Sequence, residues 1–172
     1  MPGGRILLIR EAAAEDARAV LDYVNAVSGE SDFLSFGSGE FELTEQEEEE
    51  FLRMCRATDN QLYLLGMIDD ALASTLNFSG GRRPRLRHSG EFGVSVRRDY
   101  WGLGIGSLML DALIAWAREA GIVKKINLRV RTDNSRAIRL YRSKGFQIEG
   151  TCRKEILLDG RYYDHHWMGL EL

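Results

Sequence analysis

The chain has 172 residues, 44% of them hydrophobic and 28% charged, which is the balance of a single globular domain spanning residues 1–172. No stretch reaches the roughly 18 consecutive apolar residues of a membrane span, and the opening Met1-Pro2-Gly3-Gly4-Arg5 lacks the apolar run of a signal peptide, so a cytoplasmic protein with no membrane partner is expected. The formal net charge of −3 argues against nucleic acid as a partner, because that role usually needs a basic excess.

Arg5 to Arg10 is a short aliphatic run that reads as a first strand. Ala14 to Val27 then sets Ala17, Val20, Leu21 and Val24 at helical spacing. Ser28 to Gly39 is a Gly- and Ser-rich loop whose Phe33, Leu34 and Phe36 must pack on something. Thr44 followed by Glu47 is a capping-box pattern that opens a second helix running to about Ala57. Gln61 to Ile68 and Ala71 to Phe78 read as strands joined by a tight turn at Asp69-Asp70, and Gly80-Gly81 with Pro84 marks the next reversal. A long strand over Leu86 to Val96 alternates Phe92, Val94 and Val96 against Glu91, Gly93 and Ser95.

From Gly104 to Ala120 the period changes, and Ile105, Leu108, Met109, Ala112, Leu113 and Trp116 form one helical stripe stopped at Gly121. Ile126 to Val130 is a strand, Asn134 to Lys144 a short helix ended by Gly145, and Phe146 to Thr151 the next strand. Ile156 to Gly169 reads as a hairpin turning at Asp159-Gly160. This order predicts an α/β (α+β) fold: a mixed, mostly antiparallel sheet of six to seven strands flanked by about four helices. Cys55 and Cys152 belong to no Cys-x-x-Cys pair and are expected as buried thiols. The seven glutamates between Glu40 and Glu50, and the arginines 82, 83, 85, 87, 97 and 98, read as solvated faces.

The chemistry concentrates at Trp101-Gly102-Leu103-Gly104-Ile105-Gly106-Ser107, where a strand feeds a glycine-rich turn and a long helix begins. The first amides of a helix lack intrahelical acceptors and carry the positive end of its dipole, so this turn is an anion cradle, suited to phosphate or pyrophosphate. A P-loop would need Lys and then Ser or Thr after the last glycine, whereas Ser107 and Leu108 follow Gly106. A dinucleotide fingerprint needs Gly-x-Gly-x-x-Gly opening a βαβ unit, and this turn is Gly-x-Gly-x-Gly after a meander. A turn with no ligand stays open on this stretch alone.

A second constellation runs from Arg131 to Phe146. Asn134 stands at a strand exit and a helix mouth, where it either caps the helix or donates to a ligand. Tyr141, two turns along the same face, is either a core aromatic or a hydroxyl aimed at the same place.

Taken together, the glycine turn and the later Asn134-x-x-Ala137-x-x-Leu140-Tyr141-x-x-x-Gly145-Phe146 resemble the GNAT superfamily of acyl-CoA-dependent N-acetyltransferases, over nearly the whole chain in element order. Trp101 departs from that family's Gln or Arg, leaving main-chain amides as the pyrophosphate donors. The closing Asp159-Gly160-x-Tyr162-x-Asp164 with Met168 looks like members that acetylate amino acids, polyamines or protein N-termini.

The resemblance implies acetyl-CoA as co-substrate, no metal, and an acceptor amine on a small molecule or a protein. It implies that strands four and five, Phe92 to Val96 and Ile126 to Val130, splay to admit pantetheine. Val94, Ser95 and Val96 would then line pantetheine and Trp101 to Ser107 the pyrophosphate; Asn134 would touch pantetheine, Ala137 would also bind the cofactor, and Tyr141 would sit near the sulfur. Tyr141 is expected as general acid. Glu91 is the first candidate for the base, with Asp164, His165 and His166 behind it, and an ion pair with Arg129 is the competing reading of Glu91. One of Arg136, Arg139, Arg142 and Lys144 would hold the 3′-phosphate. Glu30, Asp32, Glu40 and Glu42 form either an acidic rim for a cationic amine or a solubilising surface. A homodimer through the last strands is also implied, and a non-catalytic acyl-CoA sensor is the alternative function.

Overall fold

Residues 4–172 are described by a computed structural model; Met1, Pro2 and Gly3, on which the reading of the opening segment partly rested, lie outside the described residues. The first strand, β1 (Leu7–Glu11), leads through one 3-10 turn (Ala14–Asp16) into helix α1 (Ala17–Ser28). After the loop comes α2 (Glu45–Ala57), and then the meander β2 (Gln61–Ile68), β3 (Ala71–Gly80) and β4 (Ser89–Val96). Helix α3 (Ile105–Ala120), β5 (Lys125–Arg131), α4 (Ser135–Ser143), β6 (Gln147–Leu158) and β7 (Arg161–Glu171) complete the chain. Among the described residues no helix is long and apolar enough to cross a membrane.

The punctuation works as the residue chemistry dictates. Thr44 Oγ1 accepts from the Glu47 amide at 3.2 Å while Glu47 Oε2 accepts from the Thr44 amide at 2.9 Å, so two orphan donors of α2 are satisfied reciprocally. Thr44→Ala should therefore lower stability by about 1 kcal/mol, a fall in Tm of roughly 2–4 °C for a domain of this size that a thermal melt will read. Asp69 and Asp70 both take positive φ (49° and 64°), so two aspartates make the turn where a glycine was favoured at the second place.

The strands form one sheet in the order β1-β2-β3-β4-β5-β7-β6, antiparallel throughout except for β4 and β5. That parallel pair is short: Ser89 faces Lys125, Gly90 faces Ile126, Glu91 faces Asn127, and there the ladder stops. The strands diverge from Phe92 and Leu128 onward. The split thus opens two residues later on β5 than expected, because Ile126 and Asn127 are still paired.

Two apolar layers cover the sheet. On one face α3 and α4 pack Met109, Leu113 and Ile138 against Leu76, Phe78, Phe92 and Leu128. On the other, α1 and α2 pack Val20, Val24 and Leu52 against Tyr63 and Leu65, with Leu34, Phe36 and Phe41 of the loop laid over them.

Three expectations are corrected. In α3 the buried stripe is Ile105, Met109, Leu110, Leu113, Ile114 and Ala117, whereas Leu108 is 43% exposed. That helix is apolar around most of its circumference, so periodicity alone does not phase it. Next, the strand from Phe146 and the first arm of the final hairpin are one strand, β6, irregular between Cys152 and Ile156. Finally, the charged runs are not wholly solvated: Glu48 is 2% exposed under α2, and Arg97 pairs with Glu30. Of the free thiols, Cys55 is buried and Cys152 only half so.

Candidate functional site

The glycine turn sits where β4 leaves the sheet and α3 begins. Gly102 and Gly104 hold φ of 83° and 81°, a left-handed conformation that side chains resist, and a Cβ added at either would meet no protein atom within 4 Å. Gly106 differs: it is helical, and its added Cβ would lie 3.3 Å from Leu140 of α4. The Ser107 amide already donates to the Gly104 carbonyl at 3.0 Å and the Trp101 amide to Arg98 at 3.1 Å. Among the described hydrogen bonds, the intervening amides of Gly102, Leu103, Gly104, Ile105 and Gly106 have no acceptor. Five unpaired donors at a helix N-terminus fit an extended anion such as a pyrophosphate.

Trp101 closes this turn on itself. Its indole Nε1 donates to the Val96 carbonyl at 2.7 Å, and the guanidinium carbons of Arg98 and Arg136 lie 5.8 and 5.5 Å from its ring centroid. Both N–H groups of Trp101 are therefore engaged inside the protein. What it brings to the cradle is two stacked cations.

The split presents main-chain groups. The Arg97 amide donates to Ala73 on β3, and Ser95 pairs with Thr75, so residues 95 and 97 address β3. Antiparallel alternation then turns the amides and carbonyls of Val94 and Val96 away from β3, toward the strand that has departed. The Val96 carbonyl is met by the Trp101 indole; the other groups are open to an amide-bearing chain. Ser95 contributes nothing of this kind. Its carbonyl accepts from Ser74 Oγ at 2.7 Å, and its hydroxyl joins Tyr23 and Thr75 at 3.0 and 3.3 Å beneath α1. Burial pushes the Tyr23 phenol up to about 12, so that network is uncharged.

Asn134 plays a double part. Its Oδ1 caps α4 by accepting from the Ala137 amide at 3.1 Å, which fixes the side chain and leaves the Nδ2 donors free. Tyr141 is 9% exposed and packs edge-on against Phe92 and Phe146, with ring centroids 5.9 and 6.0 Å away. Phe92 is the first β4 residue beyond the parallel ladder, so the phenol stands over the start of the split. Its hydroxyl has no partner among the described hydrogen bonds, and burial pushes its pKa up to about 12.

On the opposite face, Glu91 Oε1 accepts from Arg129 Nε at 2.8 Å, and Glu155 lies 3.7 Å from the same guanidinium, which also stands 5.5 Å over the Trp167 ring. The ion-paired alternative for Glu91 is thus present in the fold. His165 and His166 point to opposite faces of β7. His166 Nδ1 meets Thr151 Oγ1 at 2.8 Å, whereas His165 is buried with Nδ1 unpartnered, and burial lowers its pKa, keeping it neutral. The Asp164 carboxylate accepts from the Lys154 amide at 2.9 Å, away from the split. Sequence reasoning missed Arg131, Trp167 and the exposed Gly93, which carry no motif and gain meaning only from the strands beside them.

These features match known proteins. A sequence model described as the Acetyltransferase (GNAT) family matches residues 30–146. L-amino acid N-acetyltransferase AaaT of Escherichia coli strain K12 is 33% identical over 105 residues, 61% of this chain and 65% of that protein, so the chain spans just under two thirds of that relative. A Streptococcus pneumoniae acetyltransferase of the GNAT family superposes with a TM-score of 0.95 at 36% identity, covering 97% of this chain and all of the other. The yncA protein of Salmonella typhimurium, solved with its cofactor acetyl-CoA, shares the fold at a TM-score of 0.84 and 20% identity, covering 97% of this chain and 94% of that one.

Proposed function

Since the chain belongs to the GNAT acetyltransferase family, we propose that it is an N-acetyltransferase that moves an acetyl group from acetyl-CoA to a primary amine of a small molecule or a protein. One observation carries this reading: a split sheet continuous with a cradle of five unpaired amides at the start of α3. The cradle fits the pyrophosphate, and the main-chain groups of Val94 with the amide of Val96 fit the two amides of pantetheine. The bound co-substrate supplies a thioester whose carbonyl carbon the amine attacks.

The residues of the chain do the rest. The amides of Gly102 to Gly106 hold the anion, with Arg136, stacked on Trp101, a cation beside them for a further phosphate. Asn134, immobilised as a cap, presents Nδ2 to the pantetheine arm. As the N–C bond forms and the C–S bond breaks, the thiolate takes a proton from Tyr141. The amine loses its proton through one water to Glu91, which Arg129 holds at the closed end of the split. Fixing the amine beside the thioester removes the entropic cost of a bimolecular encounter, a contribution that exceeds the proton transfers.

On the acceptor face the half-exposed Arg129 lies between the carboxylates of Glu91 and Glu155. That arrangement suits a molecule with both an ammonium and a carboxylate, and the amino acid named for the Escherichia coli relative agrees with it. Thiol release from acetyl-CoA in the presence of L-amino acids, spermidine and an alanine-initiated peptide tests the proposal. At least one of these should accelerate release, with amino acids foremost. Tight acetyl-CoA binding with no amine-stimulated release anywhere in the panel would leave a sensor and sink the enzyme reading.

A further inference from the structure

The loop after α1 is tied down at two separated points, and the two ties lie on opposite banks of the split. On the β4 bank, Glu30 accepts from Arg97 Nε at 2.7 Å and from the Arg98 amide at 2.6 Å, and the Arg98 side chain also reaches the Glu30 carbonyl. On the β5 bank stands Arg131, the last residue of the strand, only 6% exposed. Its Nη1 donates to the Asp32 carbonyl at 2.8 Å, while Nε and Nη2 grip Asp133 at 3.0 and 2.7 Å. Its guanidinium is sandwiched between Tyr163 of β7 at 3.6 Å and Phe33 of the loop at 4.8 Å.

The parallel ladder ends at Glu91 and Asn127, so β4 and β5 stand apart at their C-terminal ends, where Arg97 and Arg131 sit. Residues Glu30 to Phe33 therefore cross the open mouth of the split. They cross on the α1 side, because Tyr23 of α1 reaches Ser95 on that face. On this side the stretch of β4 that an acceptor would meet is flanked by the strap at the mouth and by Glu91–Arg129 at the closed end. It includes the exposed Gly93, which has no side chain.

We propose that Arg131 is a positioning residue for the acceptor: by fastening Asp32 and Phe33 to the end of β5 it keeps this strap across the split, and so sets the size of amine that reaches the thioester. The identity of the reaction rests on the function proposed above; the strap itself does not. Arg131 suits the task because Asp133 neutralises it and two rings shield it, so the clamp persists in salt that would screen an exposed pair. Burying this guanidinium costs desolvation that its partners offset, and removing those partners would leave the charge uncompensated.

Arg131→Met keeps the length and removes the donors, and Asp133, being half exposed, is left solvated. Amide exchange over residues 30–36 should accelerate, and KM for the accepted amine should rise by about tenfold or more, the scale of losing charge-assisted hydrogen bonds. Acetyl-CoA affinity should stay within about twofold, since the cradle lies on the other side of the split. Glu30→Gln takes the charge out of the opposite anchor, keeping only the Arg98 contact to the main-chain carbonyl intact, and should produce the same two changes in smaller measure without touching Arg131. Both variants act through one segment, so the double variant should be no worse than the worse single one. Unchanged exchange, or losses that simply multiply in the double variant, would overturn the strap. Should Arg131→Met fail to fold, Glu30→Gln alone reads the same exchange and KM. If the unaltered protein acetylates nothing in the amine panel, the function fails while the exchange measurement still decides the strap.

Discussion

Tyr141→Phe is expected to lower kcat by about a hundredfold or more, the lower end of what a positioned general acid contributes, while acetyl-CoA binds as before. The ring of Tyr141 does the packing, edge-on against Phe92 and Phe146, and phenylalanine preserves it. No described hydrogen bond involves the hydroxyl, so its removal strands no donor in the folded protein. What goes is the proton that the departing thiolate would take. Steady-state kinetics with the best amine of the panel, beside a titration of acetyl-CoA, separate the two quantities. A kcat within about threefold of the parent would remove Tyr141 from the chemistry and leave it as a core aromatic.

The pH profile gives the same assignment a second exposure. Burial holds the Tyr141 proton up to about 12, against 10.0 for the free phenol. A group with a raised pKa keeps its proton throughout the range below, so kcat should show no alkaline limb from Tyr141 up to roughly pH 10. The acidic limb belongs to other groups, above all the amine, which must shed its proton to expose a lone pair.

The parts of this site that were legible in the sequence are those written in consecutive residues. Strand, glycine turn and helix follow one another between Glu91 and Ala120, and the chemistry of backbone amides at a helix start needs nothing from elsewhere. The Asn134 cap and the Thr44–Glu47 box are local in the same way. Phase and partnership were not legible. In α3, leucines, isoleucines and alanines occupy more than one face, and only the sheet beneath decides that Leu110 goes in and Leu108 stays out. Glu48 sits in a glutamate run that reads as solvent-facing, yet it is only 2% exposed and lies near Tyr63 and Cys55. Arg131 meets Asp32 across 99 residues of chain, and nothing near either announces the other. Its partners became visible only once β5 and β7 were paired. The acceptor side is built from such distant meetings, whereas the cradle is built from neighbours.

Gly104→Ala should weaken acetyl-CoA binding by about tenfold or more, and a second glycine of the same helix supplies the comparison that makes the number interpretable. Gly104 and Gly121 flank α3 at its start and end, with φ of 81° and 71°. Forcing a side chain into that left-handed conformation costs about 1–2 kcal/mol at either position, so both alanine variants should lose roughly 2–8 °C in Tm. At Gly121 the added methyl would have only the Glu119 carbonyl at 4.0 Å and no ligand surface nearby. At Gly104 it would stand in open space beside the unpaired amides, where an anion must come close to be bound. Equal losses of Tm with an affinity loss confined to Gly104→Ala therefore assign the effect to the cradle. If both variants bind acetyl-CoA equally well, the turn is a structural elbow, and the pyrophosphate must be held by side chains such as Arg136. Any relaxation of the Gly104 backbone toward negative φ would turn the Gly104 and Ile105 amides relative to one another. The loss should then appear as faster dissociation of acetyl-CoA more than slower association, because the charge that draws the anion in is unchanged.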